Sequence, residues 1–210
     1  MTRPKDFEVE DRTGWVKIGR IYSNLVSPPT MVLALGLAVA WQSAPWPESL
    51  KWYVVYALLV SLLPVVFVAG LLRLGYVQEL HMSDQKERRW PYVAAVLGAL
   101  AAVGMLTWLN APMLMRCLAV FNVVQAVSLA VINLFWLIST HTTAAMSTAV
   151  LVTLLFGWLP GLLIGVPLVV SIVAVRIYLR RHTIGQSLAG CLLGAASVLV
   201  LVPFGCFVGG

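Results

Sequence analysis

With 210 residues, 60% of them hydrophobic and only 10% charged, and a mean hydropathy of +0.92, this chain cannot be an ordinary water-soluble globule, since soluble domains carry roughly 25% charged residues. The same figures exclude disorder, a disulfide scaffold and a soluble nucleic-acid binder. The net charge of +6 lies outside the apolar runs and suits anionic lipid headgroups or a phosphorylated ligand.

The first 20 residues mix five Lys or Arg with four Asp or Glu and contain no apolar run or small-residue cleavage site, so they do not read as a signal peptide. From Gly14 to Leu25, Trp15, Ile18, Ile21, Tyr22 and Leu25 recur at helical spacing, with Lys17 and Arg20 elsewhere on the wheel. This predicts a short helix lying at the membrane interface. Pro28 and Pro29 close it and open the next helix, because proline is tolerated in a first turn and not in an interior.

Apolar spans are expected at about Thr30–Pro45, Lys51–Tyr76 (kinked at Pro64), Tyr92–Leu109 and Met113–Ile138, with Asn110-Ala111-Pro112 as a turn. Thr143–Val175 is too long for one crossing and is broken at Gly157-Trp158-Leu159-Pro160-Gly161, which predicts two short crossings. A last span, Ser187–Phe207, is rich in Gly and Ala, as close helix packing in lipid requires. The fold class expected is therefore all-α, a transmembrane bundle of six to seven spans with an N-terminal interfacial helix. Residues 1–29 form its arm and residues 30–210 its membrane domain. Cys117, Cys191 and Cys206 fall in apolar stretches without metal-site spacing and read as small core or lipid-facing residues, so no metal or other cofactor is expected.

Three polar islands interrupt the spans: His81–Pro91, Ser139–His141 and Arg176–Gln186. Two crossings separate each from the next, and an even number returns the chain to the same side. All three histidines, His81, His141 and His182, therefore belong to one membrane face. Twelve of the fourteen Lys and Arg fall on that face, leaving only Lys51 and Arg116 opposite, which predicts that the N-terminus and the site face the cytoplasm or a stroma. Imidazoles beside guanidinium groups suit phosphate chemistry: cations hold the phosphoryl oxygens, one histidine attacks phosphorus and another protonates the leaving oxygen. Arg180 and Arg181 would equally serve as headgroup anchors. Asn122, Gln125 and Asn133, the only midspan polar cluster, would suit a transporter, though hydrogen bonding between helices accounts for them more simply.

Ser139-Thr140-His141 and Arg176-x5-His182 resemble the Ser-Gly-His and Ser-Arg-x5-His-x3-Asp elements of the type 2 phosphatidic acid phosphatase family, and RIYLRRHTIGQSLAGCLLG is similar to its small bacterial and plastid members. The resemblance covers about Gln78 to Gly194, in the family's motif order. It implies that His182 is the nucleophile, His141 the acid, and Arg176, Ser139 and Thr140 phosphate ligands. The family's Lys-x6-Arg-Pro element is only partly present. Ser83 stands in the lysine register and Trp90 precedes Pro91, which leaves Lys86 and Arg88 as substitute phosphate ligands. Val175 stands where the family has serine, and Thr140 where it has glycine. Gln186 stands where it has aspartate; a glutamine carbonyl can orient the nucleophilic histidine but brings no charge. The implied partner is a lipid phosphate, such as phosphatidic acid or an isoprenyl phosphate, drawn from the membrane. A homo-oligomer or a larger membrane complex is left open, and the rival reading is a catalytically silent, lipid-binding member.

Overall fold

A computed structural model describes residues 4–6, 10–76 and 89–207 of the chain. The described residues form eight helices: α1 (Gly14–Leu25), α2 (Pro28–Ser43), α3 (Glu48–Arg73), α4 (Arg89–Trp108), α5 (Met113–Ile132), α6 (Thr140–Phe156), α7 (Trp158–Tyr178) and α8 (Ile184–Leu199). Five are long and apolar enough to cross a bilayer, counting α8 with the 3₁₀ turn that follows it. A sixth span results if α1 and α2 act as one bent crossing, and α6 is apolar but shorter. Leu62, Val66, Leu163, Ile164 and Val170 stand exposed on these helices, a surface that only lipid would solvate. The chain is an integral membrane protein.

The kink expected at Pro64 takes the form of a π turn, Leu58–Leu62, inside an otherwise continuous α3. Proline has no N–H to donate and its ring crowds the carbonyl four residues back. Widening the preceding turn lets the Leu63 N–H reach the Leu58 carbonyl instead. The same device recurs in α7, where the turn Gly161–Gly165 precedes Pro167. The fourth span is shorter than expected, ending at Ile132. Beyond it Asn133 turns back to cap the Leu129 carbonyl at 2.9 Å, while Phe135 and Trp136 stand exposed as aromatics do at a membrane boundary.

The chain divides into two compact units. One contains Val32–Leu137 and Leu199–Val208. In it α4 and α5 form a hairpin whose turn carries Asn110 in the left-handed region. Asn122 on α5 donates to the Tyr56 hydroxyl on α3 at 2.7 Å, so this midspan amide is accounted for by a helix-to-helix bond. Cys117 and Cys206, expected to be unpaired, form a disulfide across 89 residues of sequence, and Cys191 is the free cysteine. Their distance along the chain hides the pairing from any local spacing rule.

The other unit contains the chain up to Met31 and Ile138–Val198. Its apolar centre is Met31, Ala144, Ala145 and Ile172, packed by Tyr22, Val26, Leu168 and Val169. Helix α6 is its axis, and small residues on both neighbours come close to it. A Cβ placed on Gly165 of α7 would lie 2.8 Å from the Ala149 Cβ, and one on Gly161 would lie 3.1 Å from the Thr153 Cα. On α8, a Cβ at Gly190 would lie 2.7 Å from the Ser139 carbonyl oxygen, and one at Gly194 would lie 3.0 Å from the Ser147 nitrogen. Two Gly-x-x-x-Gly pairs thus clamp α6 from two helices.

Candidate functional site

Each polar island in this unit is shaped by how a helix begins or ends. Helix α7 ends in a Schellman turn. Arg180 occupies the left-handed position with φ 54°, its N–H donates to the Ile177 carbonyl, and the Arg181 N–H reaches back to the Arg176 carbonyl at 3.0 Å. The His182 N–H points at the same carbonyl at 3.4 Å. Gly75 and Asn110 fill the equivalent position after α3 and α4, which glycine and asparagine do readily. An arginine there is strained, and the turn holds the Arg181 and His182 side chains in buried positions while Arg180 stays exposed.

Helix α8 opens with a reciprocal cap. The Thr183 N–H donates to Gln186 Oε1 at 2.9 Å, and the Gln186 N–H donates to Thr183 Oγ1 at 3.2 Å. Helix α6 opens on Ser139, whose Oγ accepts from the Thr142 N–H and whose own N–H donates to the Gln186 carbonyl at 3.3 Å. Thr142 Oγ1 donates to the Ser187 carbonyl at 3.1 Å. The starts of α6 and α8 are therefore bonded to each other, and His141 and His182 belong to these two openings.

The third contributor is α1, whose bounds match the sequence expectation. Its apolar residues Trp15, Ile18, Ile21 and Leu25 face outward, and its small polar residues Gly19 and Ser23 are buried, Gly19 against Leu179. Tyr22 shares a hydrogen bond of 2.5 Å with Ser171 of α7. Ser23 is the meeting point. Its carbonyl oxygen lies 3.2 Å from His141 Nε2, and its Oγ accepts from an Arg176 guanidinium N–H at 3.1 Å. Both partners are buried, Arg176 to 3% exposure.

One turn back on α1, Arg20 donates to the Asp6 carboxylate at 3.2 Å and to the Asp6 carbonyl at 3.1 Å. Arg181 donates to the other carboxylate oxygen at 2.8 Å, and Arg12 to the Asp6 carbonyl at 3.2 Å. Asp6 is fully buried. Burial pushes its carboxyl up, but the Arg181 hydrogen bond and the Arg181 and Arg20 charges hold it below its usual range.

The structure thus gathers His141 and Arg176 onto Ser23, and it links Arg176 to His182 and Ser139 to Gln186 through the backbone. Thr140 is the first residue of α6 and partly exposed, while Ser139 is fully buried with its hydroxyl turned into the cap. Gln186 Oε1 is directed to the Thr183 amide. Lys86, Arg88 and His81 lie outside the described residues. Sequence reasoning missed Ser23, Asp6 and the two Gly-x-x-x-Gly pairs. The last were legible as Gly161/Gly165 and Gly190/Gly194. Among the described residues, no group of three His, Cys, Asp or Glu could hold a metal ion. No family model, curated protein or solved structure matches this chain.

Proposed function

We propose that this integral membrane protein is a phosphatase acting on a lipid phosphate or diphosphate of the phosphatidic acid or isoprenyl type. In this reading a His182 ring nitrogen attacks phosphorus, the bond from phosphorus to the leaving oxygen breaks, and His141 protonates that oxygen. Water then attacks the phosphohistidine, returning His182 and releasing phosphate. Arg176 neutralises phosphoryl oxygens, with Lys86 and Arg88 as further ligands. The observation that carries the proposal is the convergence on Ser23: an imidazole from the start of α6 and a guanidinium from the end of α7 are held by one residue, and His182 follows directly from the turn that ends α7.

The site is assigned to the cytoplasmic or stromal face. By the crossing count, Cys117 and Cys206 then fall at the opposite face, and disulfides persist outside reducing compartments, so their pairing supports this orientation. An impermeant thiol reagent added to intact cells should label Trp158→Cys and leave Arg180→Cys unlabelled.

A second reading, a catalytically silent lipid-binding member, is favoured by one contact. The Gln186 side-chain oxygen Oε1, which would orient the nucleophilic histidine, caps α8 instead. Phosphate release by purified protein from a panel of lipid phosphates separates the two. Wild type should release phosphate while His182→Ala and His141→Ala do not. Equal release by all three, or by none, removes the catalytic reading.

A further inference from the structure

Helix α1 presents two unlike faces. Gly19, Tyr22, Ser23 and Val26 pack toward α6 and α7, whereas Trp15, Ile18, Ile21 and Leu25 stand outward, Trp15 75% and Leu25 68% exposed. Large apolar side chains gathered on one face of a twelve-residue helix call for a cover that water does not provide. The inner contacts give the helix a direction. A Cβ on Gly19 would meet Leu179 and Tyr178, at the end of α7. Ser23 meets Arg176, Tyr22 meets Ser171, and Val26 packs on the cluster that contains Ile172. As α1 advances, its partners on α7 recede from the end of that helix, so α1 runs inward beside it. Ser171 lies seven residues before Tyr178, about 10 Å along the axis.

Charge marks where water stops. At the end of α7, Arg180 is exposed and the Lys5 ammonium sits over the Tyr178 ring at 3.9 Å. On α1, Lys17 and Arg20 precede the inward stretch, and the chain then carries no charged residue until Glu48. The far end of α1 is finished as lipid requires. Thr30 Oγ1 lies 2.7 Å from both the Leu25 and the Ser27 carbonyl oxygens and accepts from the Ser27 N–H at 2.9 Å, so backbone groups freed at the break before α2 are bonded within the chain. Helix α7, on which α1 lies, is a membrane span with Leu163, Ile164 and Val170 outward, so the lipid that bathes α7 reaches α1.

We propose that α1 is sunk obliquely into the leaflet on the site side, with the face formed by Trp15, Ile18, Ile21 and Leu25 docked on lipid and Leu25 deepest. The bilayer, not a protein partner, then holds Ser23 against His141 and Arg176. This differs from the helix lying flat at the interface that the sequence periodicity suggests, because periodicity reports which residues share a face and not how the helix is inclined.

The test uses the full chain in nanodiscs of phosphatidylcholine and phosphatidylglycerol, with Cys191→Ala so that the introduced thiol is the reactive one. A nitroxide is attached in turn at Trp15→Cys, Lys17→Cys, Ile18→Cys, Ile21→Cys and Leu25→Cys. Its collisions with oxygen, which concentrates in hydrocarbon, are compared with those with a water-soluble nickel chelate. Position 17 should report water and the four apolar positions lipid, with position 25 deeper than position 15 by about 5–15 Å, the reach of ten helical residues at a tilt. Four equal depths would mean a helix lying flat, nickel access at all four a helix standing in water, and access to neither reagent a face covered by another protein chain; each overturns the proposal. A second measurement addresses the holding role. Leu25→Glu and Trp15→Glu place the same charge five residues from Arg20 on either side. The deeper one should speed tryptic cleavage after Arg20 about tenfold and the shallower one leave it nearly unchanged, because a charge costs more the farther it lies below the surface. Acceleration no greater in Leu25→Glu than in Trp15→Glu overturns that role. Neither readout involves phosphate release, so the proposal stands or falls separately from the phosphatase reading.

Discussion

Ser23 and Arg176 lie 153 residues apart in the chain and 3.1 Å apart in space, hydroxyl to guanidinium, on a helix face that reads in sequence as unremarkable polar filler. Because the Ser23 carbonyl also meets His141, the hydroxyl can be removed without touching the histidine contact. Ser23→Ala should therefore lower kcat/KM for a lipid phosphate about tenfold, the worth of one hydrogen bond to a charged group, while Ser23→Thr restores it. Equal activity in wild type and alanine variant would show that Arg176 needs no such positioning.

The turn after α7 yields a stability prediction. A non-glycine residue in the left-handed region costs about 1–2 kcal/mol, and Arg180 is exposed, so little packing is lost with its side chain. Arg180→Gly should raise Tm by about 2–4 °C, whereas Arg180→Ala, which keeps the strain, should not. A thermal melt of the three proteins in one detergent decides it.

Glycine positions on α8 and α4 should respond in opposite ways. Gly194→Ala forces a methyl group against the backbone of α6, and a loss of about 1–3 kcal/mol is expected. Gly104→Ala on α4 meets nothing within 4 Å and should be neutral or gain up to about 1 kcal/mol from helix propensity. Denaturation midpoints that move alike for both would contradict the close approach of α8 to α6.

Asp6 sets a pH window. Its folded carboxyl titrates below the ordinary value of 3.8, so the stability it contributes is fully present above that value and is lost as pH falls through the lower folded one. Wild type should exceed Asp6→Asn by about 2 kcal/mol at pH 7, by the same margin down to about pH 4, and by progressively less below it. A gap that closes between pH 7 and pH 5 would mean that another group is responsible.

Much of the fold was readable because apolar length and helix punctuation are local properties. Pro28 starts α2, Gly157 separates α6 from α7, and α1 runs over the residues its periodicity names. Proline chemistry located the disturbance in α3 but not its form, because whether a helix bends or widens depends on what packs beside it. The site was partly readable, since histidines and arginines between apolar runs are conspicuous. Ser23 and Asp6 were not. One sits in an amphipathic helix, where a serine signals nothing, and the other in an arm of mixed charge that resembles solvated surface. Both acquire meaning only through contacts spanning more than 110 residues. Cys117 and Cys206 escaped notice for the same reason.

That disulfide has a topological corollary. The bond between Cys117 and Cys206 closes a covalent ring, and Ser139, His141, Arg176, Arg181, His182 and Gln186 are all carried on it, while Ser23 reaches His141 and Arg176, and Asp6 reaches Arg181, from the open tail outside. A single backbone cut anywhere within the ring leaves one molecule; a cut between Ser23 and Cys117 severs α1 from every group it serves.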